Sequence, residues 1–339
     1  MGYGIRAFDT SVYYGPSEVI LGNALQELKT EFPRSSYQLV SLEPFLIVES
    51  LIDDLAFEMT KCGRFGPSDF DYTPSRIRDS VKRSLERLQT TYLDTACLHD
   101  VEFVCTQVAP RSNGDNLSAL AEESSAYGLA KGDEGKIWGE GDQKILDAYA
   151  ELRALQEEGL VKNIGITGMS RYPLPTLLRL ALLILHTPPF KPVDVILSYS
   201  HLTLQNGTFS RFAPELQERA KVKQLLAASP FSMGLLTSFP PSWHPAPAKM
   251  KAAARVASCV WPDGLPNLAL GYAVRNTGSV HGNIPLVAGF STPEEVHECV
   301  RVWREIQDGE VEGRKKAEET VQDIFSKAGY LDWSWASPQ

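Results

Sequence analysis

The sequence predicts an α/β fold, a barrel of parallel strands joined by helical crossovers, on three observations. A unit recurs along the chain: a short β-type run ending in polar residues, a segment of helical periodicity, then another run. The 339 residues suit one barrel with insertions, read as a single domain over 1–339. Hydrophobic residues make up 43% and charged residues 22%, which supports a large core and excludes a disordered or fibrous chain.

Ile5-Arg6-Ala7-Phe8 is the first run, and Ser17 is read as the N-cap of a helix carrying Ile20, Leu21, Leu25 and Leu28. Thr73-Pro74 opens the clearest helix, with proline at the first helical position and Ile77, Val81, Leu85 and Leu88 on one stripe. Leu93 to Leu98 is the strand after it. Ile145, Tyr149, Leu152 and Leu155 form the next stripe, Gly159 ends it as a C′ residue, and Val161 to Ile166 returns as a strand. Val193 to Leu197, Gln224 to Ala228 and Ile284 to Val287 are further strands. One more near Tyr37 to Leu39 or Met59 brings the count to seven, so a (β/α)8 barrel is expected to lack one strand, the first. Two stretches break the rhythm: Val40 to Met59, apolar and acidic with no turn residues, and Gln107 to Asp142, read as a long surface loop.

Net charge is −9 with pI ≈ 5.3, which gives no support for binding nucleic acid or anionic lipid. The five cysteines are odd in number and contain no CxxC pair, so neither a disulfide framework nor a zinc site is expected, and the compartment reads as reducing. The most apolar stretch, Leu177 to Leu185, is interrupted by Arg179 and is about half of the roughly 20 residues a spanning helix needs. Met1 to Arg6 lacks the pattern of a secretory signal, so the cytoplasm and a small-molecule partner are expected. Oligomeric state has no readable signal.

Four groups could carry chemistry. Asp9 and Tyr14 follow the first run in FDTSVYYGPSE, Lys61 lies in TKCGRFG, and His99 ends the apolar strand in CLHDVEF. Alone, Asp9 suits an Asx-turn, Tyr14 a packed aromatic, Lys61 a solvated surface group and His99 a satisfied core histidine. Together they stand at the ends of β-runs, which a parallel barrel gathers on one rim. Gly2 to Ala7 matches GxGxxA but precedes a strand instead of opening a helix after one, so it is rejected as a nucleotide fingerprint.

FDTSxYYGxSE, TKCGRFG, CLHDVEF and GITG, in that order, resemble the aldo-keto reductase superfamily over nearly the whole chain. LHDVEF, GITGMS, VILSYSHLTL, ASPFSMGLLT and PPSWHPAP resemble its aldose-oxidising branch, the plant L-galactose dehydrogenases and fungal D-arabinose 1-dehydrogenases. The resemblance implies a catalytic tetrad: Tyr14 exchanges a proton with the substrate oxygen, Lys61 favours its phenolate, Asp9 holds Lys61 charged, and His99 orients the sugar. No metal is implied. Cofactor contacts are implied at Thr167 and Gly168 for the nicotinamide, at Ser229, Phe231, Ser232, Gly234 and Leu235 around the pyrophosphate, and at Gly289, Ser291 and Glu295 for the adenosine end. Ala228, Leu197 and Cys299 depart from the commonest residues at their positions. Ile284 to Glu295 contains no Arg or Lys for a 2′-phosphate, so NAD is expected, with NADP as the alternative.

The resemblance also marks Val40 to Met59 as additional, since deleting it joins YQL to TKCGRFG. This segment and the missing opening strand are expected to be artefacts of a gene model. The implied activity is NAD(P)-dependent oxidation of C1 of an aldose, D-arabinose or L-galactose, to the lactone. An NADPH-dependent aldehyde reductase and a catalytically dead nucleotide-binding barrel are the alternatives.

Overall fold

The computed structural model describes residues 7–34, 37–38, 55–169, 173–278, 284–309 and 312–335. Its centre is a nearly closed barrel of seven parallel strands: β1 (Ala7–Asp9), β3 (Leu55–Cys62), β4 (Leu93–Leu98), β5 (Val161–Gly168), β6 (Val195–Tyr199), β7 (Gln224–Ala228) and β8 (Leu286–Val287), paired in that order. A two-residue strand, β2 (Tyr37–Gln38), pairs with the start of β3. Among the described residues β1 and β8 do not pair with each other.

The expected order of strands is the observed one, with shifted ends. The sixth begins at Val195 instead of Val193, and Ile5 and Arg6 lie outside the described residues, as do Gly2 and Gly4. Residues 39–54 also lie outside them, but Leu55 to Met59 are the opening of β3. The strand carrying Lys61 therefore starts inside the segment read as additional, and β3 pairs with β1 through Ala7↔Phe57 and Asp9↔Met59.

Helices cover the outside of the barrel. In α1 (Ser17–Glu27) Ser17 is the first helical residue and not the cap; its hydroxyl meets Thr10 Oγ1 at 2.6 Å. In α2 (Pro74–Leu88) Pro74 starts the helix as expected, while the Thr73 hydroxyl donates to Asp71 Oδ1 (2.7 Å) instead of capping. Ile77, Val81 and Leu88 are fully buried against the sheet. In α3 (Glu140–Glu157) the end is the expected one: Gly159 at φ +78° lets its N–H reach Gln156 O and the Leu160 N–H reach Leu155 O, both at 3.1 Å. α4 (Pro173–Leu185) carries the most apolar stretch, and no described helix is long and apolar enough to cross a membrane. The short α5 (Phe209–Pro214), then α6 (Ala248–Ala257), α7 (Gly264–Thr277), α8 (Pro293–Gln307) and α9 (Glu312–Ala328) complete the chain.

Two layers of core follow from strand alternation. One side of the sheet packs on α2, α3 and α4 through Ala96, Leu98, Ile164, Ile166 and Ile196. The other fills the barrel with Met59, Cys97, Val195, Leu197, Leu226 and Ala228. Gly165 is required where β5 meets its neighbours, since a Cβ there would lie 2.3 Å from Val195 O and 2.7 Å from Cys97 Sγ.

The stretch 107–142 is more than a surface loop. Ala119, Tyr127 and Leu129 are buried in the main core, and Gly114 forms a β-bridge with Ser334. Its base is clamped by a buried ion pair in which Arg179 grips both oxygens of Asp142 (2.7 and 3.0 Å) and donates to Thr106 O (2.9 Å).

Candidate active site

β1, β3 and β4 are neighbours, so residues at or just past their C-terminal ends meet. Lys61 follows Met59 on the inward face of β3, and His99 follows Cys97 on that of β4, each two residues on. Thr10 N–H bonds Met59 O and His99 N–H bonds Cys62 O, both at 2.9 Å, which carries the ladder up to the rim. Tyr14 stands in the turn after β1, closed by Tyr14 N–H to Ser11 O (3.0 Å) and by Gly15 at φ +60°. A Cβ at Gly15 would touch nothing, so its requirement is backbone conformation.

Lys61 Nζ donates to both Asp9 oxygens (2.6 and 2.7 Å), to Thr10 O (3.2 Å) and to Tyr14 Oη (3.3 Å). All three ammonium hydrogens are thereby directed, one of them at the phenol. Lys61 is 2% and His99 3% exposed, whereas Tyr14 is 41% exposed. The His99 ring meets Tyr14 edge-on at 5.7 Å; its Nδ1 lies 3.1 Å from Ser11 Oγ and its Nε2 3.5 Å from Asp100 Oδ2.

Burial raises the Asp9 pKa, and Lys61 pulls against that rise. For Lys61, burial acts to lower the pKa, but Asp9 and Tyr14 outweigh it and the net direction is up, which keeps the ammonium charged. Tyr14 is pushed up to about 12, first by desolvation and then by the Asp9 and Asp100 carboxylates, with Lys61 opposing. Lys61 thus favours the phenolate as expected, but does not prevail in this arrangement. Burial, Lys61 and Arg64 hold the His99 pKa well below its usual value, so its imidazole is neutral near pH 7.

A cavity of about 1590 Å³ runs from this cluster to the start of α8. Asp9, Tyr14, Lys61 and His99 line one end; Thr167, Gly168, Ser229, Phe231, Gly234, Gly289, Ser291 and Glu295 line the rest. Ser232 and Leu235 do not. The loop after β7 puts Ser232, Met233 and Gly234 in the left-handed region (φ +50°, +57° and +88°), which turns Ser232 Oγ to Thr203 Oγ1 (3.0 Å) and buries Leu235 among the C-terminal helices. Glu295 has a local duty: its Oε2 accepts from Ser291 N–H (2.5 Å) while its own N–H bonds the Thr292 cap (3.3 Å). Nothing from 107–142 lines the cavity.

Sequence reasoning gave no role to Ser11, Arg64, Asp100 or Tyr199, although all four lie inside quoted motifs. Arg64 Nη1 donates to Asp100 Oδ2 (2.5 Å) while its guanidinium packs on the Tyr13 ring at 4.4 Å. Asp100 takes φ +59°, and its N–H bonds Thr167 Oγ1 (3.0 Å). Tyr199, two residues past Leu197 on the inward face of β6, was accessible to the period-two rule.

A family model described as "Aldo/keto reductase family" matches residues 1–319. The chain is 34% identical to D-arabinose 1-dehydrogenase of Saccharomyces cerevisiae over 299 residues, 87% of this chain and 71% of that one. It is 31% identical to L-galactose dehydrogenase of Arabidopsis thaliana over 336 residues, 97% of this chain and 83% of that one. Among solved structures, an aldo-keto reductase of Bacillus halodurans in its holo form aligns with TM-score 0.57 at 17% identity, covering 95% of this chain and 83% of that one. A glycerol dehydrogenase of Gluconobacter oxydans aligns with TM-score 0.56 at 18% identity, covering 100% and 84%. These two speak to the fold, and the extent of the family match together with the curated relatives carries the assignment: the chain belongs to the aldo/keto reductase family, whose members are nicotinamide-dependent oxidoreductases.

Proposed function

We propose that this chain oxidises C1 of an aldose, with D-arabinose or L-galactose as favoured substrate, to the lactone, using NAD in preference to NADP. The observation that carries the reading is the 3.3 Å contact from Lys61 Nζ to Tyr14 Oη. Because Lys61 donates there, the phenol's own hydrogen is free to exchange with a substrate oxygen. The names of the two curated relatives support the substrate class.

The cavity fits a nicotinamide dinucleotide: apolar Leu197, Leu226 and Ala228 form a floor beside the charged cluster, and at Gly289 no atom stands within 4 Å of where a Cβ would be. Bound there, the nicotinamide supplies the hydride acceptor. The protein's part is the proton and the geometry. Tyr14, as phenolate, takes the C1 hydroxyl proton as the C1 hydrogen departs with its electron pair, leaving the lactone carbonyl. Asp9 keeps Lys61 in place, Lys61 stabilises the phenolate, and neutral His99 hydrogen-bonds the reacting oxygen. The only cations lining the cavity among the described residues, Lys61 and Arg64, lie at this end, while Glu294, Glu295 and Glu298 line the other. A 2′-phosphate at that end would meet carboxylates, which supports NAD. Lys249 and Lys251 sit on α6, outside the lining.

One observation favours a second reading, NADPH-dependent aldehyde reduction: a phenol pushed up to about 12 stays protonated at neutral pH and suits a proton donor. Steady-state rates with NAD plus aldose against NADPH plus aldehyde separate the two. Faster sugar oxidation supports the first; aldehyde reduction without sugar turnover overturns it. A folded sample that binds NAD and turns over neither substrate marks an inactive barrel.

A further inference from the structure

We propose that Ser11 is a positioning residue of this site, whose hydroxyl donates to Nδ1 of His99 and thereby keeps the imidazole proton on Nε2, beside Asp100 on the cavity wall. The inference rests on the reading that His99 hydrogen-bonds the reacting oxygen, and specifies which nitrogen does so. A neutral imidazole carries one N–H, and its two tautomers present opposite faces to a ligand: a donor or a lone pair.

Ser11 Oγ has three polar neighbours. Tyr13 N–H donates to it (3.2 Å), Lys61 O lies at 3.4 Å, and His99 Nδ1 lies at 3.1 Å. The hydroxyl has a single hydrogen, so it serves either Lys61 O or Nδ1. Serving Lys61 O makes Nδ1 the protonated nitrogen and turns the Nε2 lone pair toward Asp100 Oδ2, 3.5 Å away. Two electron-rich atoms then face each other in a buried place, since Asp100 and His99 are each 3% exposed. Serving Nδ1 uses the shorter Ser11 contact and aims Nε2–H at the carboxylate. Arg64 Nη1 at 2.5 Å and Thr167 Oγ1 at 3.4 Å hold Asp100 for that role. The Nε2–H contact to Asp100, at 3.5 Å, is long for a hydrogen bond, so a substrate oxygen approaching Nε2 from the cavity would take the proton donor over with little loss. Ser11 itself is fully buried at the foot of the Tyr14 turn and is absent from the cavity lining, so it acts through His99.

The test is long-range 1H–15N correlation on the full-length protein carrying 15N-labelled histidine, with His99 assigned by the signals lost in His99→Gln. The expected result at neutral pH is an unprotonated Nδ1 and a protonated Nε2. A protonated Nδ1 overturns the proposal. In Ser11→Ala the two tautomer signatures should mix, and kcat should fall about three- to tenfold, the scale of one hydrogen bond, with the KM for the nicotinamide cofactor unchanged. A wild-type tautomer signature and kcat in Ser11→Ala would equally overturn it. The 15N readout requires no turnover, so a chain that oxidises no sugar refutes the proposed activity while the tautomer is still decided.

Discussion

Tyr14 and Lys61 share one contact, and each can be altered with a distinct expected result. Tyr14→Phe keeps the ring against His99 and removes only the exchanging hydrogen. Turnover should fall by about 10² to 10⁴ with cofactor affinity nearly intact. Retention of more than about a tenth of kcat, where chemistry limits the rate, would contradict the assignment. Lys61→Met acts through the pKa of Tyr14, already raised to about 12 with Lys61 opposing the rise. Without the cation it climbs further, so the ascending limb of the pH profile for sugar oxidation should move to higher pH and the rate at a fixed pH on that limb should drop, about tenfold per pH unit moved. An unchanged pH profile would show that Lys61 is not coupled to the base. That Tyr14 and Lys61 mattered was legible from their motifs. The balance of desolvation against charge at Tyr14 was not, because it depends on Asp9, Asp100 and burial acting at one point in space.

At the scale of elements, the 107–142 excursion and the C-terminal segment are tied to the barrel by polar groups with no water to fall back on. Asp142 and Arg179 are 0% and 3% exposed at their side chains. Asp142→Ala leaves the guanidinium buried and unpaired, and urea unfolding should show a loss of about 3–5 kcal/mol. A loss under about 1 kcal/mol would show that the clamp is dispensable. His201 bridges Ser198 Oγ (3.2 Å) to Ser334 Oγ (3.3 Å), and burial lowers its pKa to about 4. Its folded pKa lies below the unfolded value near 6.5, so its stabilising contribution is complete above about pH 6.5 and is lost as pH falls toward 4, by roughly 3 kcal/mol. Unfolding free energies of wild type and His201→Gln should therefore converge by about that amount over this window; a constant gap would contradict the buried neutral imidazole. Strands such as Leu93–Leu98 and Gln224–Ala228 were legible to the residue, because apolar runs between turn residues have one reading. The order within 107–142 was not, since its Tyr127 and Leu129 lie in polar, glycine-rich sequence without a period.

For the whole molecule, the sequence foretold a rim where distant residues meet, and β1, β3 and β4 bring Asp9, Lys61 and His99 there. The resemblance implied cofactor contacts at Ser232 and Leu235; neither lines the cavity, and the left-handed turn that rotates them away had no signal in the sequence. Charge is divided along the cavity, with cations beside Tyr14 and carboxylates at the start of α8. Glu295→Arg should therefore narrow or invert the preference for NAD, each tenfold change in the kcat/KM ratio corresponding to about 1.4 kcal/mol. An unmoved ratio would place the ribose elsewhere. Whether Tyr14 carries sugar oxidation is decided by kcat/KM for NAD with D-arabinose and with L-galactose, measured side by side in the wild-type protein and in Tyr14→Phe. The wild type should turn over at least one sugar, and the variant should lose that turnover by about 10² or more. Wild-type protein that is folded and binds NAD but oxidises neither sugar, or a variant as active as wild type, would contradict it.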